Sequence, residues 1–473
     1  MVFSSPIFLF VFLPVVFLLY KILPLQMKNY FLVLVSLVFY AWGEPVYIVL
    51  MIVSVLVNYV LARLIGDKAE ARSGARMWVL ICVVFNIGML FVFKYSNFFI
   101  NNVNDIFGTA LMIPVIRLPI GISFYTFHSL SYVIDVYRGT FKPQKRFSNV
   151  LLYISFFPQL IAGPIVKYHD IALQIDSRSE TAEKTVAGLK RFTIGLAKKL
   201  LLANTMGGVV DKIYGLMPSE INITVAWLAA ITYALQIYFD FSGYSDMAHG
   251  LAKLFGFDLK ENFDYPYTAN SIKTFWRKWH ISLSTWFREY LYFPLGGNRK
   301  GLTRTAINLV IVFFCTGLWH GAQWTFVIWG FFHGLFIMLE KIGVIKPEKF
   351  KPKWLANVYT QLVVVIAFVL FRSDTLQQGV GFIVKMFTGF STNPGIQSFL
   401  SQTMTGPVIV FGIMALVGTT RLAKNTYNRV KDHKRTNAMV FECVSMAATL
   451  CILGICILTM SSQTYNPFIY FRF

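Results

Sequence analysis

Residues 306–324 read AINLVIVFFCTGLWHGAQW: an apolar run climbing to a tryptophan, then a histidine between that ring and a glycine. A run of this kind leaves a helix no water-facing side, so the segment belongs either to a protein core or to lipid. The rest of the chain decides for lipid. Comparable runs recur at 7–23 (IFLFVFLPVVFLLYKIL), 45–64 (PVYIVLMIVSVLVNYVLARL), 77–93 (MWVLICVVFNIGMLFVF), 362–371 (LVVVIAFVLF) and 438–458 (AMVFECVSMAATLCILGICIL). Most approach the length a helix needs to cross roughly 30 Å of hydrocarbon. Across 473 residues, 56% are hydrophobic and only 14% charged, against about a quarter charged in a soluble domain. The sequence predicts an all-α, polytopic membrane protein.

The first run has no basic stretch before it and no small-x-small cleavage pattern after it, so it is expected to be a retained span and not a secretory signal. Five cysteines (Cys82, Cys315, Cys443, Cys451, Cys456) all lie in apolar helix sequence without a Cys-x-x-Cys spacing, which predicts neither a disulfide framework nor a metal site. The formal charge of +21 does not point to nucleic acid. The cations cluster in short connectors, at 63–76, 138–146, 341–353 and 421–435, which is the pattern of cytoplasmic loops in a membrane protein. No linker, low-complexity tract or internal repeat interrupts residues 1–473, so a single integral domain is expected.

The middle of the chain is less regular. Residues 118–139 and 149–166 are apolar but broken by Pro and Gly, and non-helical backbone at membrane depth survives only inside protein or around a cavity. Both are expected to be re-entrant or to wrap an internal chamber. Residues 187–206 and 271–293 mix apolar and basic side chains at helical spacing, which predicts amphipathic helices along the membrane interface.

Seven histidines are present. His433 lies in a basic loop, where it is expected to be solvated, and His169 falls at a segment end. For His128, His249 and His333 a hydrogen-bonded structural role is the simpler reading. His280 and His320 differ, because each sits among aromatic residues, in FWRKWHISLSTW and CTGLWHGAQW. An ionisable group at the depth of His320 is costly unless it faces a cavity or a partner, and burial favours the neutral imidazole that accepts a proton. Gly317 and Gly321 leave room for a substrate, although their spacing also suits plain helix packing. On a continuous helix, Trp276, His280 and Ser284 share one face. Trp279 and Trp319 flank the two histidines and are expected, with Trp276 and Ser284, to line the route to them. Arg288, Arg299 and Lys300, around the Gly296–Gly297 turn, form either an interfacial anchor or a cationic rim for a phosphate-bearing donor. Asp240 and Asp246, in FDFSGYSD, are placed to orient a histidine or to pair with interface arginines. No nucleophile elbow, P-loop, His-x4-Asp or His-Glu-x-x-His pattern occurs, which argues against serine hydrolases, nucleotide-driven pumps and zincins.

Together the stretches IGISFYTFHSLSYVIDVYRG, FFPQLIAGPIV, FWRKWHISLSTWFREYLYFPLGGNRKG, GLWHGAQWTFVIWGFFHG and the terminal NPFIYFRF resemble the membrane-bound O-acyltransferase (MBOAT) family, in the branch that includes the membrane subunit of alginate O-acetylation. The resemblance implies a multi-helix ring around a central funnel, with His320 as the catalytic base and His280 as the second polar histidine near its narrow point. It further implies an acyl thioester donor on the cytoplasmic side, acetyl-CoA or an acyl carrier, with no bound cofactor and no metal. Other implied partners are membrane lipid, a polysaccharide acceptor and an extracytoplasmic acyltransferase or esterase-like protein, with no nucleic acid. The expected site of action is the bacterial cytoplasmic membrane. Two other readings stay open at this point: D-alanyl transfer to teichoic acid from a carrier protein, and a proton-coupled transporter or flippase using the two histidines as a relay.

Overall fold

The computed structural model describes the whole chain except residues 68–71, 115, 392–393, 434–436, 463–468 and 470–473. The cationic positions 68, 434 and 435, and all of the terminal motif but Ile469, therefore lie outside the described residues. Those described form helices and connectors, without a strand. Six helices are long and apolar enough to cross a membrane: Tyr47–Asp67, Gly74–Phe107, Ile223–Leu254, Gly301–His320, Trp354–Arg372 and Ala438–Ser462. A seventh span is possible if Pro394–Thr403 and Gly406–Gly418, bent by 73° at their junction, act as one. This is a multi-pass integral membrane protein. The first apolar run forms a shorter helix, Phe8–Ile22, which stops before Pro24, where Leu23 turns extended as a residue before proline must.

Two compact units divide the fold: residues 1–192 with 247–260, and residues 193–246 with 261–473. The first unit is centred on phenylalanines. Phe3, Phe8, Phe12, Phe39 and Phe157 meet with ring centroids 5.0–6.5 Å apart. Helix Tyr47–Asp67 joins the next helix through a buried amide pair, in which Asn86 Nδ2 donates to Asn58 Oδ1 at 2.8 Å; in lipid, packing and such bonds replace the hydrophobic drive between helices. Both segments expected to be broken are, the first near its start. Residues 122–137 form one continuous helix, buried almost all round, because Gly121 supplies the break just before it at φ +78°. The second segment breaks at Phe156, between helices Phe147–Ser155 and Phe157–Leu160, with Pro158 opening the latter.

The segment expected as an interfacial helix at 187–206 is helical throughout, and the part of it in the second unit is largely buried. From Thr193 the chain runs through a π-helical stretch, Lys198–Ala203, in which Lys199 is buried. Its ammonium lies 2.6 Å from Asp240 Oδ1, while Lys198 lies 2.6 Å from Asp246 Oδ2. The lysines are spent on carboxylates of Ile223–Leu254 and not on headgroups. Gly243 makes this crossing possible, since a Cβ there would stand 2.8 Å from the Gly195 carbonyl. The hairpin of Gly301–His320 and Trp324–Lys341 is equally tight: a Cβ on Gly330 would meet the Phe313 carbonyl oxygen at 2.3 Å, and one on Gly317 that of Phe326 at 2.5 Å. Around it packs a core of Trp276, Trp279, Phe313, Phe326, Trp329, Phe368 and Phe371.

Candidate active site

His320 is the last residue of helix Gly301–His320, where Gly321 leaves the helix in an extended conformation. It is 3% exposed, and its ring meets the edges or faces of Trp319, Trp329 and Phe371 at 5.0–5.1 Å, all near perpendicular. Such T-shaped contacts fix the ring plane without consuming a nitrogen.

The local structure around His280 departs from the expected single helix. Ser271 caps Ile272–Lys278 by accepting from Thr274 N–H at 3.0 Å. The Glu340 carboxylate accepts from Ile272 N–H at 2.7 Å and Lys273 N–H at 3.2 Å, placing negative charge at the helix N-terminus, where the dipole favours it. That helix ends at Lys278, and a new one, Ile281–Phe287, starts after His280, which holds a left-handed backbone at φ 44°. For a residue with a Cβ this costs roughly 1–3 kcal/mol and persists only where surroundings impose it. What imposes it is residues 262–264, running alongside: Ile281 N–H donates to Asn262 C=O at 2.9 Å and Asp264 N–H to Lys278 C=O at 3.0 Å. Arg421 in turn grips the Asp264 carboxylate at 2.6 and 2.8 Å. Helical spacing therefore does not put Trp276, His280 and Ser284 on one face.

The imidazole of His280 is fully buried. Its ring lies 4.6 Å from Phe241 and 5.7 Å from Trp319, so the Trp319 indole touches both histidines. Nδ1 is 3.3 Å from Asn262 Oδ1, and Nε2 has no partner among the described residues. A third histidine belongs to the same aromatic cage. His333 stacks on Phe275 at 6.2 Å and meets Trp276 and Trp329 edge-on at 5.2 and 5.1 Å. It is buried with neither nitrogen hydrogen-bonded among the described residues, contrary to the bonded structural role expected for it. His249, by contrast, bonds the Lys260 carbonyl at 2.9 Å, and His128 Nε2 accepts from Val166 N–H at 3.2 Å. Asn262 was invisible to motif reading because a lone Asn in a loop carries no spacing signal, and the same lack left His333 read as structural.

Along the helix leading to His320 lies a cleft of about 180 Å³, lined by Trp276, Leu283, Ser284, Arg288, Phe313 and Thr316, among others. Thr316 stands one helical turn before His320 on the same face. Of the residues expected to line the route, Trp276 and Ser284 border this cleft. Trp319 lies between the histidines, and Trp279 is buried in the core against Phe275 and Phe368. Asp240 and Asp246 are engaged by Lys199 and Lys198. Of the three expected phosphate-binding cations, Arg288 borders the cleft, whereas Arg299 and Lys300 lie in the turn beyond it. The Gly296 and Gly297 amides of that turn donate to Phe293 and Tyr292 carbonyls at 3.0 and 2.9 Å, so they are not offered to a phosphate.

Residues 145–373, which hold both histidines, match the model of the membrane-bound O-acyltransferase family. Over its full length the chain is 37% identical to the probable alginate O-acetylase AlgI of Pseudomonas putida, covering all of both proteins. The chain belongs to the membrane-bound O-acyltransferase family. It is also 33% identical to the peptidoglycan O-acetyltransferase of Helicobacter pylori, across 98% of this chain and 91% of that protein. Similarity to the teichoic acid D-alanyltransferase of Bacillus subtilis is weaker, 27% over 52% of this chain and 65% of that one. As a member of the family the protein is an O-acyltransferase, and the transporter reading is set aside.

Proposed function

We propose that this O-acyltransferase moves an acetyl group from a cytoplasmic thioester toward a hydroxyl of a cell-envelope polysaccharide, in the bacterial cytoplasmic membrane and together with an extracytoplasmic partner. The observation that carries the reading is the pair of buried imidazoles sharing the Trp319 ring, with an apolar cleft running along the helix face that ends at His320. The relatives aligned over nearly the whole chain are named for acetylation, whereas the D-alanyltransferase aligns over about half of it, which favours acetyl over D-alanyl.

In this reading the thioester arm occupies the cleft with its phosphate end toward Arg288. His320 takes the proton of the acceptor hydroxyl as that oxygen bonds the thioester carbonyl carbon. Collapse of the tetrahedral intermediate breaks the carbon–sulfur bond, and the leaving thiolate recovers the proton from the imidazolium. General-base help of this kind is worth on the order of 10²–10⁴-fold. His280 orients the reacting groups from the other side of Trp319.

Thiol release from radiolabelled acetyl-CoA by protein in nanodiscs tests this. His320→Ala is expected to lower turnover at least about 10²-fold while the fold is retained. Wild-type-like turnover in folded His320→Ala would remove the base from the mechanism. A wild type silent with acetyl-CoA and active with an acetylated carrier protein would change the donor but not the site.

A further inference from the structure

His280 is held by an amide whose orientation the backbone dictates. Asn262 Oδ1 lies 3.1 Å from Ser282 N–H, 2.8 Å from Ser282 Oγ and 3.3 Å from His280 Nδ1. A backbone N–H donates and never accepts, so the atom facing it must be the amide oxygen. That assignment propagates to the histidine. Ser282 Oγ also lies 3.5 Å from Nδ1, but its one proton goes to Asn262 Oδ1 at the shorter 2.8 Å, so both oxygens facing Nδ1 accept, Nδ1 carries the proton, and in a neutral imidazole the lone pair then sits on Nε2. Nε2, across the ring from the Asn262 contact, is buried and has no partner among the described residues. Placing it there also requires the left-handed backbone at His280, held by the Ile281–Asn262 and Asp264–Lys278 bonds. A strained backbone, a dictated tautomer and an unsatisfied buried acceptor converge on one ring atom.

We infer that Asn262 is a positioning residue of the transferase: it locks His280 as the Nδ1–H tautomer, so that Nε2 accepts a hydrogen bond from a substrate N–H or O–H other than the proton His320 removes, and is not a donor to the oxyanion. The role assigned to Nε2 rests on the proposed catalytic function of His280; the tautomer does not. The division of labour follows from the chemistry. A lone pair on Nε2 repels a developing oxyanion, whereas it can hold a second substrate donor in place while His320 takes the proton of the attacking hydroxyl, leaving the thioester carbonyl to other groups.

Two measurements separate the tautomer from the catalytic role. Nitrogen-15 spectra of histidine-labelled protein in nanodiscs, with His280→Gln identifying the signal by difference, are expected to give Nδ1 as the protonated and Nε2 as the pyridine-type nitrogen. The opposite pattern would overturn the inference without any activity being measured. Asn262→Ala is expected to mix the two tautomers and lower kcat on the order of 10²-fold with KM little changed. Asn262→Asp keeps an acceptor in place and is expected to stay within about tenfold of wild type. If folded Asn262→Asp is as impaired as Asn262→Ala, or Asn262→Ala turns over like wild type, Asn262 does not position the ring. If His280→Ala keeps full turnover, the catalytic reading of His280 fails while the spectra still report on Asn262.

Discussion

At the scale of single residues, the Lys199–Asp240 pair is a costly placement in the second unit. Both side chains are almost completely buried, at 4% and 2% exposed. Taking two charges out of water costs several kcal/mol per ion, and their attraction repays it only when the remaining hydrogen bonds are also made. Asp240 makes one more, accepting Ile469 N–H through Oδ2 at 2.9 Å. Lys199→Met alone leaves a buried carboxylate without its cation and is expected to destabilise the protein by about 3–5 kcal/mol. Combining it with Asp240→Asn removes the stranded charge yet keeps an acceptor for Ile469, so most of that loss should return. Denaturant unfolding of both variants in one bilayer system measures the difference; a double variant no better than the single would mean that packing, and not charge, holds the crossing. Sequence alone showed that Asp240 and Asp246 sit among aromatics but not what faces them. Partners some forty residues away across two helices leave no local spacing.

At the scale of elements, the spans were legible because hydrocarbon imposes one simple demand, a long apolar helix, and that demand is written contiguously. The break at His280 was not, because it is imposed from residues 262–264 and not by the residues that break. The same logic hides the aromatic cage: Trp319 and His320 are adjacent in sequence, but Trp329 and Phe371 join them only through the tight hairpin and the helix Trp354–Arg372. The hairpin is where element packing and chemistry meet. Gly330→Ala would drive a methyl into the Phe313 carbonyl, with Gly317 N at 3.3 Å also in the way, so the two helices must separate. Overpacking of this kind costs about 1–3 kcal/mol, and because Trp329 adjoins Gly330, His320 should lose its cage and turnover should fall more than about tenfold. Gly454→Ala is the matched control: its Cβ meets nothing within 4 Å, and removing a mid-helix glycine is worth about 0.5–1 kcal/mol of stabilisation. Equal activity of the two variants would show that the hairpin tolerates separation and that the cage is not set by it.

At the scale of the molecule, the charge pattern explains how a chain of net +21 uses its few acids. In each unit acids pair with cations: Asp211 holds Arg372 at the end of its helix at 2.8 Å, buried Glu44 faces Arg117 at 3.4 Å, and Glu180 binds Lys28 at 2.6 Å. The surplus cations remain in the connectors, where anionic headgroups are found. Glu180 is the hub in the first unit. It takes hydrogen bonds from Lys28 and Tyr20, while Arg178 reaches Tyr20 Oη and the Phe255 carbonyl at 3.0 Å each, tying the first two helices to the connector after residue 176. Burial would raise the Glu180 carboxyl, but the Lys28 and Tyr20 hydrogen bonds with the Lys28 and Lys21 charges outweigh it and hold the group below the usual carboxylate range. The sign follows from linkage. With the folded value depressed, the unfolded chain binds its proton first as pH falls, so the stabilisation is complete above about pH 4.3 and drains away below it. Glu180→Gln cannot lose what it never had. At pH 7 it should unfold more easily than wild type, and the gap should narrow as pH falls from about 5 toward 3. Thermal unfolding in nanodiscs across that window tests it: a gap that stays constant would mean Glu180 contributes through shape and neutral hydrogen bonding, with its charge irrelevant to the fold.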